Sequence, residues 1–301
     1  MKIGIKIVLT VKERVHKFYT QDLALRAAIV NTTALVTEIA ELQSASPIAT
    51  IALGRVLTAS VLLASQLREK ARIGLKFEGH GPIGFVFAES SYESEVRAYC
   101  NNPQVDLPLK SGKWDISGAI GAGLLRVSRG SPFDKEPYHG VVDLQSGEVA
   151  EDIAHYLYQS PQIPSVVVLT VQIDKTGKVT AAGGMIVEVM PGASDLVLST
   201  MEKNSKIAPP FSGRLLEKAS FQTIVADYVH SSPLVGYEHP FDMSYLCRCS
   251  SERVTRTLSL LGKGELAEMV LSGKDISLSC EFCGKKYEVT IEELRSIAQA
   301  E

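Results

Sequence analysis

Four of the five cysteines in this 301-residue chain fall within its last 55 residues, as a C-x-C pair (Cys247, Cys249) and a C-x-x-C pair (Cys280, Cys283). A secreted disulfide framework spreads its cysteines through the loops of a small domain, whereas close pairs in a chain without a signal sequence point to metal or redox chemistry. Met1–Val11 is read as an extended segment, because Lys6 divides its apolar stretch and no small-residue cleavage site follows. The chain is therefore expected to be cytoplasmic.

Tetrahedral zinc accepts four thiolates at about 2.3 Å, and two close pairs meeting across a folded loop bring four sulfurs together. Cys247, Cys249, Cys280 and Cys283 are the expected ligands of one zinc ion per chain. Gly284, directly after Cys283, permits a turn with positive φ that aims backbone N–H groups at sulfur. Four thiolates on a dication leave a formal charge of −2, which Arg248, Arg253, Lys285 and Lys286 are placed to offset. His239, eight residues before Cys247, is not expected to be a ligand, and Cys100 reads as a small buried hydrophobe.

Spacing alone leaves open whether such a site is a staple or a switch. Most four-cysteine sites are structural, usually with two C-x-x-C pairs. A bridge between cysteines two apart must fit Cα atoms into roughly 4.4–6.8 Å, close to the reach of the segment, so it needs a constrained loop. Constrained bridges are readily reduced, which suits reversible chemistry.

The whole chain is 45% hydrophobic and 22% charged, enough for a sizeable core and unlike a disordered chain. No apolar run is read as long enough to span a bilayer, so a membrane partner is not expected. Net charge is −3, and Phe241–Glu301 carries eight Lys and Arg against ten Asp and Glu, which disfavours phosphate and hence nucleic acid.

The expected fold is α+β in three parts: an α+β core over 1–192 with a mixed, largely antiparallel sheet and packed helices, a helical linker over 193–240, and a small four-cysteine zinc domain over 241–301. Strands are predicted at Leu23–Val30, Ile73–Phe77, Phe85–Ala88, Val96–Cys100, Leu124–Ser128, Gly140–Leu144, Val166–Ile173 and Val179–Val189. Helices are predicted at Thr33–Leu42, Ile48–Leu67 and Glu151–Gln159, then at Asp195–Lys203 and Leu215–His230 in the linker. The zinc domain should hold a helix capped by Ser250 or Ser251 and stopped by Gly262, a helix over Glu265–Leu271, a hairpin turning at Cys280–Gly284, and a last helix boxed by Thr290 and Glu293.

Gly79–Gly84 matches G-x-G-x-x-G, but no helix follows it and Pro82 suits a tight turn, so it reads as a hairpin connection and not a dinucleotide site. P-loop, G-x-S-x-G and H-E-x-x-H patterns do not occur. No catalytic constellation is found, and the protein is not expected to be an enzyme.

With these residues in view, the chain resembles the redox-regulated bacterial chaperones of the 33 kDa chaperonin family. The likeness is carried by Cys247-Arg248-Cys249-Ser250 and Cys280-Glu281-Phe282-Cys283-Gly284 with thirty residues between the pairs, by Gly79–Gly84, by Ala181–Met185 and by Val189–Pro191, and it extends from Arg14 to Gln299. The resemblance implies an ATP-independent holdase of the stress response that binds unfolded clients, prevents their aggregation and keeps them fit for refolding. It implies an inactive form that is reduced and zinc-bound. Oxidation would pair Cys247 with Cys249 and Cys280 with Cys283, release zinc, unfold the linker and yield a homodimer. Phe211, Leu215, Leu216, Phe221, Ile224, Val225 and Tyr228 are the apolar linker residues that would then meet solvent or client. Two other functions stand against this one. A thiol–disulfide exchange enzyme would need free thiols in a βαβ setting, and a zinc-dependent nucleic-acid binder would need basic residues interleaved with aromatics.

Overall fold

In the computed structural model, which describes residues 6–229 and 233–299, the chain forms two compact units. One is Leu9–Tyr245; the other begins at Leu246, runs through the last helix, and takes in the start of the first strand. The chain opens with β1 (Lys6–Val11), divided between the units at Leu9, and the first unit continues with β2 (His16–Thr20), β3 (Leu25–Asn31), α1 (Thr33–Leu42) and α2 (Pro47–Ala64). There follow β4 (Arg72–Gly79), β5 (Phe85–Ser91), β6 (Glu95–Cys100), α3 (Ile116–Ile120), β7 (Gly123–Gly130), β8 (Tyr138–Asp143), α4 (Ala150–Gln159), β9 (Ser165–Ile173) and β10 (Val179–Val189). Three short helices, α5 (Asp195–Ile207), α6 (Phe211–Leu216) and α7 (Phe221–Val229), lead to β11 (Leu234–Glu238) and β12 (Met243–Cys247).

Two sheets result, in the orders β1-β12-β6-β5-β4-β7-β8 and β11-β2-β3-β10-β9. The pairings among β2–β11 are antiparallel, and β12 runs parallel beside β6, where Ser244 and Tyr245 face Glu95 and Val96. Helix α2 packs against strands of both sheets, which explains why it is apolar on every side. Ser46 caps it by accepting the Ala49 N–H at 3.3 Å, and Pro47 suits the first turn, where an N–H would go unpaired. Gly54 lets the neighbours close in, since a Cβ there would stand 2.7 Å from methyls of Val36 and Val171. At 18 residues and mean hydropathy 1.7, α2 is long and apolar enough to cross a membrane, contrary to the expectation that no run would be; 89% of it lies buried inside the fold.

The α+β expectation agrees with this architecture, and Gly79–Gly84 does join two antiparallel strands, with Glu78 opposite Phe85 and the Gly79 N–H donating to Gly84 O at 2.9 Å. Other elements differ. The strand predicted from Leu23 starts at Leu25, because Leu23 takes a positive φ in the turn that Asp22 closes on the Ala24 N–H. The helix predicted over Leu215–His230 is two helices: Lys218 adopts φ 55°, and Ser220 starts α7 by accepting the Thr223 N–H at 3.1 Å. His230 lies outside the described residues, as do Met1–Ile5.

Helices α5–α7 pack onto the face of β2, β3 and β10, where Met201, Phe211, Ile224, Val225, Tyr228 and Val229 meet Phe18, Leu25, Ala27, Ile29, Met185 and Val187. Asn204 donates to Tyr228 O at 2.9 Å, and Arg214 forks onto Asp227 at 3.0 and 3.2 Å, so the three helices are also tied to one another. β11 then pairs with β2 along five residues, from Leu234 opposite Thr20 to Glu238 opposite His16.

His239 follows β11 and is buried edge-on to Tyr92, its Nε2 donating to Tyr92 O at 2.6 Å. Burial holds the imidazole below its ordinary range, outweighing that carbonyl. The unfolded chain thus binds a proton more readily than the folded one, so stability is intact above the unfolded pKa near 6.5 and falls as pH drops through the window below it. Urea titrations at pH 7.5 and 5.5 should show a loss for the native chain that shrinks in a His239→Gln variant; an equal loss in both would contradict this.

The second unit contains α8 (Ser251–Ser259), α9 (Lys263–Leu271), β13 (Ile276–Ser279), β14 (Lys286–Val289) and α10 (Ile291–Gln299). Ser250 caps α8 through the Arg253 N–H at 3.2 Å, and Thr290 and Glu293 box the start of α10 as expected. Gly262 does not stop α8, which ends at Ser259; it caps α9 instead. Leu258, Leu266, Val289, Leu294 and Ile297 form the buried centre, a small core for a unit this size.

Candidate metal centre

The sulfur site is made by two pieces of local structure. β12 delivers Cys247, and the chain turns through Arg248 and Cys249 into the cap of α8. Arg253 steadies that turn by donating to Arg248 O at 3.1 Å. Opposite, the β13–β14 hairpin closes over Cys280–Gly284, where the Cys280 N–H donates to Lys285 O at 2.9 Å and the Gly284 N–H to Cys280 O at 2.8 Å. Gly284 has φ 65°, the conformation its position predicted.

The four Sγ atoms all lie within 4.8 Å of one another, and two pairs are at 3.5 Å: Cys247 with Cys280 and Cys249 with Cys283. Four thiolates bound tetrahedrally at about 2.3 Å would stand roughly 3.8 Å apart, so the donor set fits a metal of this kind with little rearrangement. Cys247 and Cys283 are buried while Cys249 and Cys280 are partly open.

Hydrogen bonds polarise the cluster. The Cys247 thiol donates to Cys280, which foremost lowers the Cys280 thiol to about 5 against the opposing effect of burial, helped by the N–H groups of Cys283 and Phe282. The same bond and burial push Cys247 up. Burial raises Cys283 in spite of the Lys285 N–H directed at it. Donation of backbone N–H to sulfur is the arrangement that stabilises ligating thiolates. Cys280 and Cys283 sit on a two-stranded hairpin, not in a βαβ unit, so the setting expected of a thiol–disulfide exchange enzyme is lacking around this pair.

Cys100 is buried in β6, and burial alone raises its thiol to about 12, as suits a packing residue. His239 belongs to the first unit and is occupied by Tyr92. Of the linker residues singled out in the sequence, Phe211, Ile224, Val225 and Tyr228 are buried in the α5–α7 cluster, and Leu215 and Phe221 are packed against it. Leu216 is not among them and is 50% exposed. Sequence reasoning placed Tyr287 on a returning strand but overlooked its hydroxyl, which is buried in this unit; its place four residues after Cys283 was the available signal.

A sequence profile of the Hsp33 protein family matches residues 13–290. The chain is 38% identical over 273 residues to the 33 kDa chaperonin of Limosilactobacillus fermentum, covering 90% of this chain and 93% of that one. It is 38% identical over 283 residues to the 33 kDa chaperonin of Thermus thermophilus, covering 91% and 83%. Among solved structures, the crystal structure of the 33 kDa chaperonin (heat shock protein 33 homolog) of Thermotoga maritima superposes with a TM-score of 0.83 at 34% identity, over 95% of this chain and 98% of that one.

Proposed function

The chain belongs to the Hsp33 family, a family of chaperones, and from that membership we propose that it is a cytoplasmic, ATP-independent holdase switched on by oxidation of its sulfur tetrad. The observation that carries this reading is the gathering of Cys247, Cys249, Cys280 and Cys283 in a unit with so little core of its own. In the resting state the four sulfurs would hold one zinc ion, which when bound supplies a cross-link between the β12–α8 turn and the β13–β14 hairpin. The protein performs no catalysis in this reading; its partners are unfolded clients and, once oxidised, a second copy of itself.

Two thiolates and two protons reduce one hydrogen peroxide to two waters and leave one disulfide, so full oxidation of the tetrad consumes two peroxides. Which sulfurs pair decides the consequence. Bridges across the 3.5 Å contacts, Cys247 to Cys280 and Cys249 to Cys283, would staple the two pieces together much as a metal does. Bridges between neighbours, Cys247 to Cys249 and Cys280 to Cys283, leave no cross-link between the pieces, and the unit comes apart. We assign the neighbour pairing. Peptide mapping of the peroxide-treated protein without reduction is expected to find those two local bridges; the crossed pair in their place would refute an unfolding switch.

The linker follows by chain continuity. Tyr245 donates its hydroxyl to Ala98 O at 3.0 Å from within the core sheet, and Cys247 lies two residues on. Once Cys247 is no longer held, β12 frays, β11 loses its downstream anchor, and helices of 13, 6 and 9 residues are left to hold themselves in place. Helices this short are marginal alone. The test is one sample measured three ways: zinc per chain, free thiols, and suppression of a denatured client's aggregation, before and after peroxide at elevated temperature. Zinc and thiols should fall together as suppression appears; suppression of equal strength in dithiothreitol would overturn the switch.

A further inference from the structure

Strand β9 ends the order of its sheet, with β10 on one side and, among the described residues, no strand on the other. The ladder shows which backbone groups that leaves open. The Val189 N–H donates to Pro164 O and the Asp174 N–H to Lys178 O, each at 2.9 Å, and the register between them makes Val166, Val168, Thr170 and Gln172 the residues that bond to β10. Val171 and Ile173 therefore aim their N–H and C=O groups out of the sheet. Thr170–Ile173 line a cavity of about 1010 Å³, at the top of the roughly 300–1,000 Å³ usual for small-molecule pockets.

Lys110, Lys113 and Trp114 line the same cavity. Lys110 and Lys113 bond to each other through their backbones at 2.9 and 3.0 Å across Ser111 and Gly112, both at positive φ, so a tight two-residue turn carries the two ammonium groups. The acids lining the cavity are engaged elsewhere: Asp115 accepts the Gly118 N–H at 2.8 Å, and Glu148 accepts from Arg55 at 2.6 Å. Neither lysine has an acidic partner among the described residues. Two positive charges thus stand beside unpaired backbone donors and acceptors.

We propose that this groove takes an extended, acidic segment of an unfolded client as an added strand on β9, with its carboxylates on Lys110 and Lys113 and its apolar side chains against Trp114. This rests on the chaperone reading given above. Backbone bonds bind a strand whatever its sequence, as a chaperone requires, and the lysines then favour acidic segments. A second copy of this chain is disfavoured, because pairing at the same open end sets like charges against each other. So short an edge holds a peptide but not an aggregating protein, which leaves the reduced chain inactive as a holdase. Ser212 of α6 also lines the cavity, so release of the linker opens the groove on that side.

Trp114 is the single tryptophan of the chain, so its emission reports on the groove directly. The reduced, zinc-loaded full chain is titrated with a tryptophan-free octapeptide of alternating Val and Glu, blocked at both ends, and binding is read by emission and by calorimetry. Saturable binding is expected. It should weaken about tenfold or more when Lys replaces Glu in the peptide, when every second peptide nitrogen is methylated in one of the two registers, and in a Lys110→Glu, Lys113→Glu double variant. The double variant should instead prefer the Lys peptide. Equal binding of the Glu and Lys peptides, or undiminished binding of both methylated peptides, overturns the proposal, the latter by reducing the groove to an anion site. A dimer of the reduced chain that the peptide dissociates would make a second copy the occupant and overturn it as well. The native chain is then oxidised and assayed against a denatured client. Suppression of aggregation by a chain that binds no peptide removes the groove alone; peptide binding by a chain that never suppresses aggregation removes the holdase reading, and the client as occupant with it.

Discussion

Removing the metal from the reduced protein with a high-affinity chelator is expected to unfold residues 246–299 while α2 and strands β3–β10 of the first unit stay intact. Structural zinc in small domains contributes roughly 10–16 kcal/mol of apparent binding free energy. A unit of this size seldom draws more than about 3–5 kcal/mol from its own core, and here that core is five buried side chains with eight partly buried ones packed against them. The helix caps at Ser250 and Thr290 add about 1 kcal/mol each, too little to replace the cross-link. Hydrogen exchange on the full chain reads the outcome directly: amides of α8 and α10 should approach the unprotected rate, to within about tenfold, while those of α2, β3 and β10 remain protected. Cys283→Ser, which removes a buried donor, should reproduce the pattern without a chelator. Protection that persists in α8 and α10 after metal removal would show that the small core suffices and that the sulfur site is no switch for folding.

The tetrad was legible because its chemistry is written in residue type and spacing, and local rules then placed the Gly284 turn and the caps at Ser250 and Thr290. Features that depend on the partner of a segment were not. β2 alternates buried and partly exposed positions, but His16 and Lys17 hide a strand defined by its pairing with β3 and β11. β11 is exposed along most of its length, and its Leu234, Val235 and Tyr237 do not alternate with polar residues; its register with β2 is what makes it a strand. The break between α6 and α7 escaped because the apolar spacing continues across it, while Lys218, an ordinary helix former, supplies the left-handed residue that usually falls to glycine. The Tyr287 hydroxyl was hidden for a related reason: alternation gives the direction of a side chain but not what waits at its tip.

A single charge placed in the linker should activate the protein while its tetrad is still reduced and metal-bound. Val225→Asp puts a carboxylate where α7 is fully buried against the apolar face of β2, β3 and β10. An unpaired carboxylate in such a site disfavours the docked state by several kcal/mol, far above the roughly 0.5 kcal/mol typical of a surface change. If helices α5–α7 leave that face, both sides of the cluster are exposed, with Phe18, Met185 and Val187 on the sheet and Phe211, Ile224 and Tyr228 on the helices. The expected result is suppression of client aggregation in dithiothreitol at a level near that of the oxidised native chain, with one zinc per chain still bound. Leu216→Asp is the matched control, because its side chain is 50% exposed and lies outside the cluster, and it should leave the reduced protein inactive. A Val225→Asp protein whose linker amides lose protection, yet which holds no client until it is oxidised, would separate linker release from client binding and move the client surface elsewhere on the chain.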